Sequence, residues 1–125
     1  MASELRVNTL KDASGNNSIA TSFVANGSCK CWADSNAGAA ADASLNLAST
    51  TDNGTGDYTF ALSSSISSAN YSHPIVPADA DGGGGLDISV ASKAAGSIRI
   101  GTIRDDSTKT DNAHFLSVSM FGDLA

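Results

Sequence analysis

Asp52-Asn53-Gly54-Thr55-Gly56-Asp57-Tyr58-Thr59-Phe60-Ala61-Leu62 is the stretch whose reading decides the fold class. Asn53-Gly54 supplies the positive φ angles that a tight chain reversal needs. Beyond the turn, Tyr58, Phe60 and Leu62 alternate with Asp57, Thr59 and Ala61. That period of two is the mark of a strand with one buried face. The segment predicts a β-hairpin.

The same habit extends in both directions. Toward the N-terminus, Leu45 and Leu47 mark another run, and Cys29, Cys31 and Ala33 alternate with Lys30, Trp32 and Asp34. Residues 19–24 form a short apolar run ended by Asn26-Gly27, and Leu5, Val7 and Thr9 share a face before the turn residues 12–17. Toward the C-terminus, Pro74 and Pro77 bias residues 71–76 to an extended path. Four consecutive glycines, residues 82–85, read as a loop tip. Leu86, Ile88 and Val90 alternate, as do Ile98 and Ile100. Residues 114–121 are apolar on both faces, which asks for cover on both and predicts a central strand or one against a neighbouring subunit.

No helical period persists, and about eight strands at even spacing predict an all-β fold, an antiparallel sandwich or jelly-roll-like domain. Residues 1–27 read as an N-terminal β arm or collar of two strands, set off by Gly27-Ser28, and residues 28–125 as the sandwich. No internal repeat is present.

Composition bears on assembly. Twenty Ala, twenty Ser, twelve Gly, nine Thr and nine Asn make up more than half of the 125 residues. Small side chains bury little area each, at roughly 25 cal/mol per Å², so a lone monomer is thinly stabilised. Sharing apolar surface between identical subunits is the expected remedy. A net charge of −6 with only seven Lys and Arg argues against nucleic acid and anionic lipid as partners. No apolar run is long enough for membrane insertion, and the N-terminus lacks the regions of a signal peptide. Assembly in the cytoplasm is expected.

The chemistry-bearing candidates are few. Cys29 and Cys31 share a strand face. Metal binding, redox activity and an interchain disulfide near a symmetry axis are open to them, but two buried small apolar side chains is the reading taken, since only His73 and His114 could add ligands. Asp79-Ala80-Asp81-Gly82 with Asp87 opens like a calcium loop but lacks its closing glutamate. The glycines lack a phosphate-binding Lys-Ser/Thr. Neither histidine has a nucleophile elbow to serve, and seven aromatics leave little to line a glycan-cleaving groove. The chain is expected to be no enzyme and to need no cofactor or metal. Trp32, Tyr58 and Tyr71 are read as core or interface residues rather than sugar platforms.

Residues 3–16, Ser-Glu-Leu-Arg-Val-Asn-Thr-Leu-Lys-Asp-Ala-Ser-Gly-Asn, resemble the N-terminal segment of bacteriophage tail-fibre and spike-type virion proteins, notably of phages of marine bacteria. The resemblance continues through Ala25-Asn26-Gly27-Ser28, Lys30-Cys31-Trp32, residues 51–60 and Ala69-Asn70-Tyr71. The chain departs from the pattern at Cys29 and Cys31, in the alanine-rich residues 34–42 and in lacking a repetitive shaft. The resemblance implies a homotrimer located in the virion, with residues 1–27 either docking to another virion protein, through Leu5, Val7 and Leu10, or making trimer contacts about the three-fold axis. It also implies a head that meets a host cell-surface glycan or protein. By exposure, the receptor-facing loops would include Ser72, His73, Asp79, Asp81, Asp105, Asp106 and Lys109. The leading expectation is a short trimeric fibre or spike used in host attachment. The alternatives are a capsid decoration or tail adaptor protein and, more distantly, a glycan-cleaving spike.

Overall fold

The computed structural model describes residues 3, 5–36, 41–79, 85–111 and 113–125, excluding the side chains of residues 36, 78, 79 and 113–115. In chain order the elements are β1 (Thr9–Lys11), β2 (Ser18–Ala20), α1 (Thr21–Gly27), β3 (Cys29–Asn36), β4 (Ala41–Leu45), β5 (Leu47–Asp52), β6 (Asp57–Leu62), β7 (Ile75–Asp79), β8 (Leu86–Ala94), β9 (Ser97–Arg104) and β10 (Ala113–Phe121). The fold is all-β apart from α1. β1 and β2 form a small hairpin, and the other eight strands form two antiparallel sheets, ordered β4-β3-β10-β7 and β5-β6-β9-β8.

The expected hairpin is there. β5 and β6 pair antiparallel, with Asp52 opposite Tyr58 and Thr50 opposite Phe60. Period-two alternation then sends Tyr58 and Phe60 inward, beside Ile100 and Ile98 of β9. From the other sheet come Cys31, Ala33, Leu116, Val118 and Met120, and all nine join Ile66 and Tyr71 in one buried cluster. β10 is central, flanked by β3 and β7. Its inward side chains Leu116, Val118 and Met120 are buried as the alternation predicts.

Three sequence expectations need correction. Residues 19–24 are not one strand: β2 stops at Ala20 and α1 begins at Thr21. The cause is local, because the Thr21 backbone and hydroxyl both donate to the Asn8 carbonyl, the hydroxyl also to Val7, and turn the chain out of the hairpin. Leu45 and Leu47 do not share a strand. Asn46 between them takes φ +57 and carries the chain from one sheet to the other. Asn53 does not take a positive φ; in the β5–β6 turn the positive angles fall on Gly54 and Gly56. Trp32 lies on the outward side of β3, 38% exposed, which leaves interface as its half of the core-or-interface reading.

Asn46 earns its position chemically. Its Oδ1 accepts from the Ser64 amide at 2.8 Å, and its Nδ2 donates to the carbonyls of Lys30 at 3.0 Å and Ser64 at 2.9 Å. Asn tolerates this left-handed backbone better than other non-glycine residues. Asn46→Ala loses the bonds and strains the turn, and is expected to cost about 2–3 kcal/mol. Asn46→Gly keeps the turn and should cost less. Urea unfolding of the two variants checks the order.

The strands define two ends. At one, β3 begins at Cys29 opposite Phe121. Asn46 accepts from the Ser63 amide there, while Gly96 and Ala95 accept from the Leu62 and Ile66 amides. At the other, the β5–β6 turn meets residues 104–111, and Gly85 lies against Asp105. The chain before β3 therefore leaves from the arm end, and the β9–β10 loop crowns the loop end.

Candidate functional site: an apolar arm and a loop-bearing end

The arm is built around Asp12. Its backbone amide donates to the Asn17 carbonyl, and its carboxylate accepts from the Asn16 amide, the Ser14 hydroxyl and the Asn17 side chain. Those donors, Asn17 foremost, hold the Asp12 carboxyl below the usual carboxylate range. Gly15 takes φ +73 in the same reversal. Beyond α1, Lys30 Nζ donates to the Ser28 carbonyl at 2.8 Å, to the Ser28 hydroxyl at 2.6 Å and to the Ala25 carbonyl. A cation there satisfies the orphan carbonyls that end a helix and complements its dipole.

This local order buries almost nothing. Leu5, Val7, Leu10, Ile19, Phe23 and Val24 are all exposed, Leu5 at 81% and Phe23 at 73%. An isolated two-stranded hairpin is marginal in water, and a seven-residue helix is shorter than one that holds alone. Leu5, Val7 and Leu10, the expected docking residues, thus lie on exposed backbone. Ile19, Phe23 and Val24 share that exposure. Phe23 beside Val24 breaks the alternation of a strand, the one hint in the sequence that this segment presents apolar groups differently.

The loop end is a pinned polar structure. Asp57 is buried and bridges two cations. Arg99 Nε and Nη2 donate to its two oxygens at 2.7 and 3.0 Å, and Lys109 Nζ lies 2.6 Å from Oδ2. Arg99 and then Lys109 hold its carboxyl far below the usual range. Asp111 accepts from the Gly56 amide and from the Tyr58 hydroxyl at 3.1 Å. Burial, with Asp111 adding its charge, pushes the Tyr58 phenol up to about 12. The Thr110 amide donates to Thr102, whose hydroxyl donates back to the Thr110 carbonyl.

The geometry divides the loop residues read as receptor-facing. Asp105, Asp106 and Lys109 share the loop end, with Asp106 turned inward on the Thr108 hydroxyl and amide. Asp79 ends β7 there, opposite Ala113. Asp81 and residues 82–84 of the glycine run lie outside the described residues, as does the side chain of His114. Ser72 and His73 stand at the arm end. Ser72 is exposed and exchanges backbone bonds with Phe121, while His73 is half-buried, its ring edge-on to Tyr71 and Nδ1 3.4 Å from Lys93 Nζ. Asp57, Arg99 and Asp111 escaped the sequence reading. The available signal was Asp57 placed in the strand that carries Tyr58 and Phe60.

Cys29 and Cys31 are free thiols at the root of the arm. Cys31 is fully buried, and burial pushes its thiol up to about 11. Among the described residues no group of three or more His, Cys, Asp or Glu is placed to hold a metal ion. Among them, too, no helix is long and apolar enough to cross a membrane. No family model, curated protein or solved structure matches the chain.

Proposed function

We propose that this chain is a non-enzymatic structural virion protein that forms a short homotrimeric fibre or spike, assembled in the host cytoplasm and used in host-surface attachment. In this reading the eight-stranded body is a jelly-roll-like head, and residues 1–27 serve virion docking or trimer contacts. The observation that carries it is the division of labour between the ends. An arm with six exposed large apolar side chains leaves one end, and a polar loop cluster occupies the other. An element that buries nothing of its own is built to be covered, and a polar end facing away is free to meet a surface. Three weak sites on each trimer, repeated over many trimers, would multiply modest contacts into firm adhesion.

One observation favours the alternative, a capsid decoration or tail adaptor protein. Lys109, Asp106 and Asp111 spend their polar atoms on bonds within the chain, which leaves less to address a receptor. Deleting residues 2–25 tests both readings. Particles carrying the deletion should lose the protein, because docking belongs to the arm. The purified deletion protein, clustered on beads so that valency is kept without the arm, should still bind host cells if the chain is an adhesin. Loss of particle retention without any cell binding by the body would leave the decoration reading standing. Retention of the truncated protein on particles would overturn both.

A further inference from the structure

We infer that the arm of one copy seats on the outer face of the β4-β3-β10-β7 sheet of a second copy, around Trp32 and Leu45. The inference rests on the homo-oligomeric part of the function proposed above and names the surface that holds the copies together.

Among the described residues, two apolar surfaces of this chain lie exposed. The arm is the first. The second is the outward side of a sheet whose inward side chains form the core. Trp32 and Leu45 are direct cross-strand partners on it, and Val76 of β7 stands opposite Ser117. All three large side chains are exposed, Val76 at 63%. The other sheet's outward side bears the Asp57 and Arg99 pair instead. Among the described residues, the face that carries Trp32, Leu45 and Val76 is thus the more apolar of the two outward sheet faces.

Charge selects the occupant. Residues 1–28 hold Glu4, Arg6, Lys11 and Asp12 and are neutral overall, so the whole net charge of −6 falls on residues 29–125. The arm therefore adds no repulsion of its own to a contact, whereas any surface of the body brings part of that negative charge with it. Asp34 lies on the same outward side of β3, with Ser117 donating to it at 2.8 Å, and Lys11 of an incoming arm supplies the opposite charge. Lys30 holds the end of α1 at the root of β3, so the arm starts beside the face it would cover on a neighbour. Arm on face is a heterologous contact, which gives a ring where the rotation closes and a filament where it does not, and a homotrimer requires the first.

Trp32 is the chain's single tryptophan, so the test has an intrinsic probe. The full-length protein should assemble in light scattering. Its Trp32 emission should shift to the blue and lose about threefold in acrylamide quenching on assembly, since packed interface cores exclude solvent. Phe23→Asp in the arm and Leu45→Lys on the face should each give a folded monomer with quenchable Trp32, their folding checked by circular dichroism. Mixing the two variants at high concentration should restore one arm-on-face contact and the mass of two chains. An unmixed variant that stays assembled, or a mixture that stays monomeric, overturns the inference. A wild-type oligomer whose Trp32 remains as quenchable as in the variants overturns it while leaving the trimer standing. A wild-type monomer at every concentration overturns both.

Discussion

Gly56→Ala is expected to destabilise the body by about 3 kcal/mol, from left-handed strain of roughly 1–2 kcal/mol plus the cost of overpacking. Gly56 takes φ +59. A β-carbon there would stand 2.7 Å from the Thr102 carbonyl oxygen, 2.7 Å from the Thr110 amide nitrogen and 2.8 Å from the Thr110 carbonyl oxygen. These are backbone atoms tied to one another by hydrogen bonds, so they have no cheap way to move. Relief requires the β9–β10 loop to lift from the β5–β6 turn, which also breaks the bond between the Gly56 amide and Asp111. Gly54→Ala is the control, because its φ of +118 is strained but nothing lies within 4 Å of its β-carbon. Urea midpoints should put Gly56→Ala well below Gly54→Ala. Equal midpoints would mean that the loop is not pinned through this glycine.

Asp57→Ala is expected to cost about 2 kcal/mol at neutral pH, or roughly 10 °C in melting temperature. Breaking a fully buried pair costs about 3–5 kcal/mol. The smaller figure applies because the side chains of Arg99 and Lys109 are 46% and 50% exposed and can rehydrate once the carboxylate is gone. The pH dependence has a definite sign. The folded carboxyl lies below its unfolded value of about 3.9, so its contribution is whole above that pH. The contribution is lost as pH falls below the unfolded value and through the folded one. Thermal melts of wild type and Asp57→Ala should therefore differ most near neutrality and converge in strong acid. A constant difference at every pH would assign the loss to packing instead of charge.

The body was legible in the sequence because strand patterning is local. Tyr58 and Phe60 alternate with polar neighbours, Ile98 with Ile100, and Leu116 with Val118 and Met120, and each alternation maps directly onto the inward face of a strand. The turn was legible for the same reason, although its positive φ angles fall on Gly54 and Gly56 and not on Asn53. The helix α1 was not legible, because Thr21 is held by the carbonyls of Val7 and Asn8, fourteen and thirteen residues away. Residues 19–24 alone carry no trace of those bonds.

What the sequence determined by itself was the all-β class, the β5–β6 hairpin and the central placing of β10. Each follows from periodicity and turn chemistry within a few residues. The tertiary structure alone decided that Asn46 crosses between sheets, that Ser72 and His73 stand at the opposite end from Asp105 and Lys109, and that Asp57 draws in Arg99 and Lys109. These depend on groups up to 52 residues apart in the chain, as with Lys109 and Asp57. Side chains so far apart are matched only after the sheets have paired, and no local pattern records which of the acidic residues will be the one enclosed.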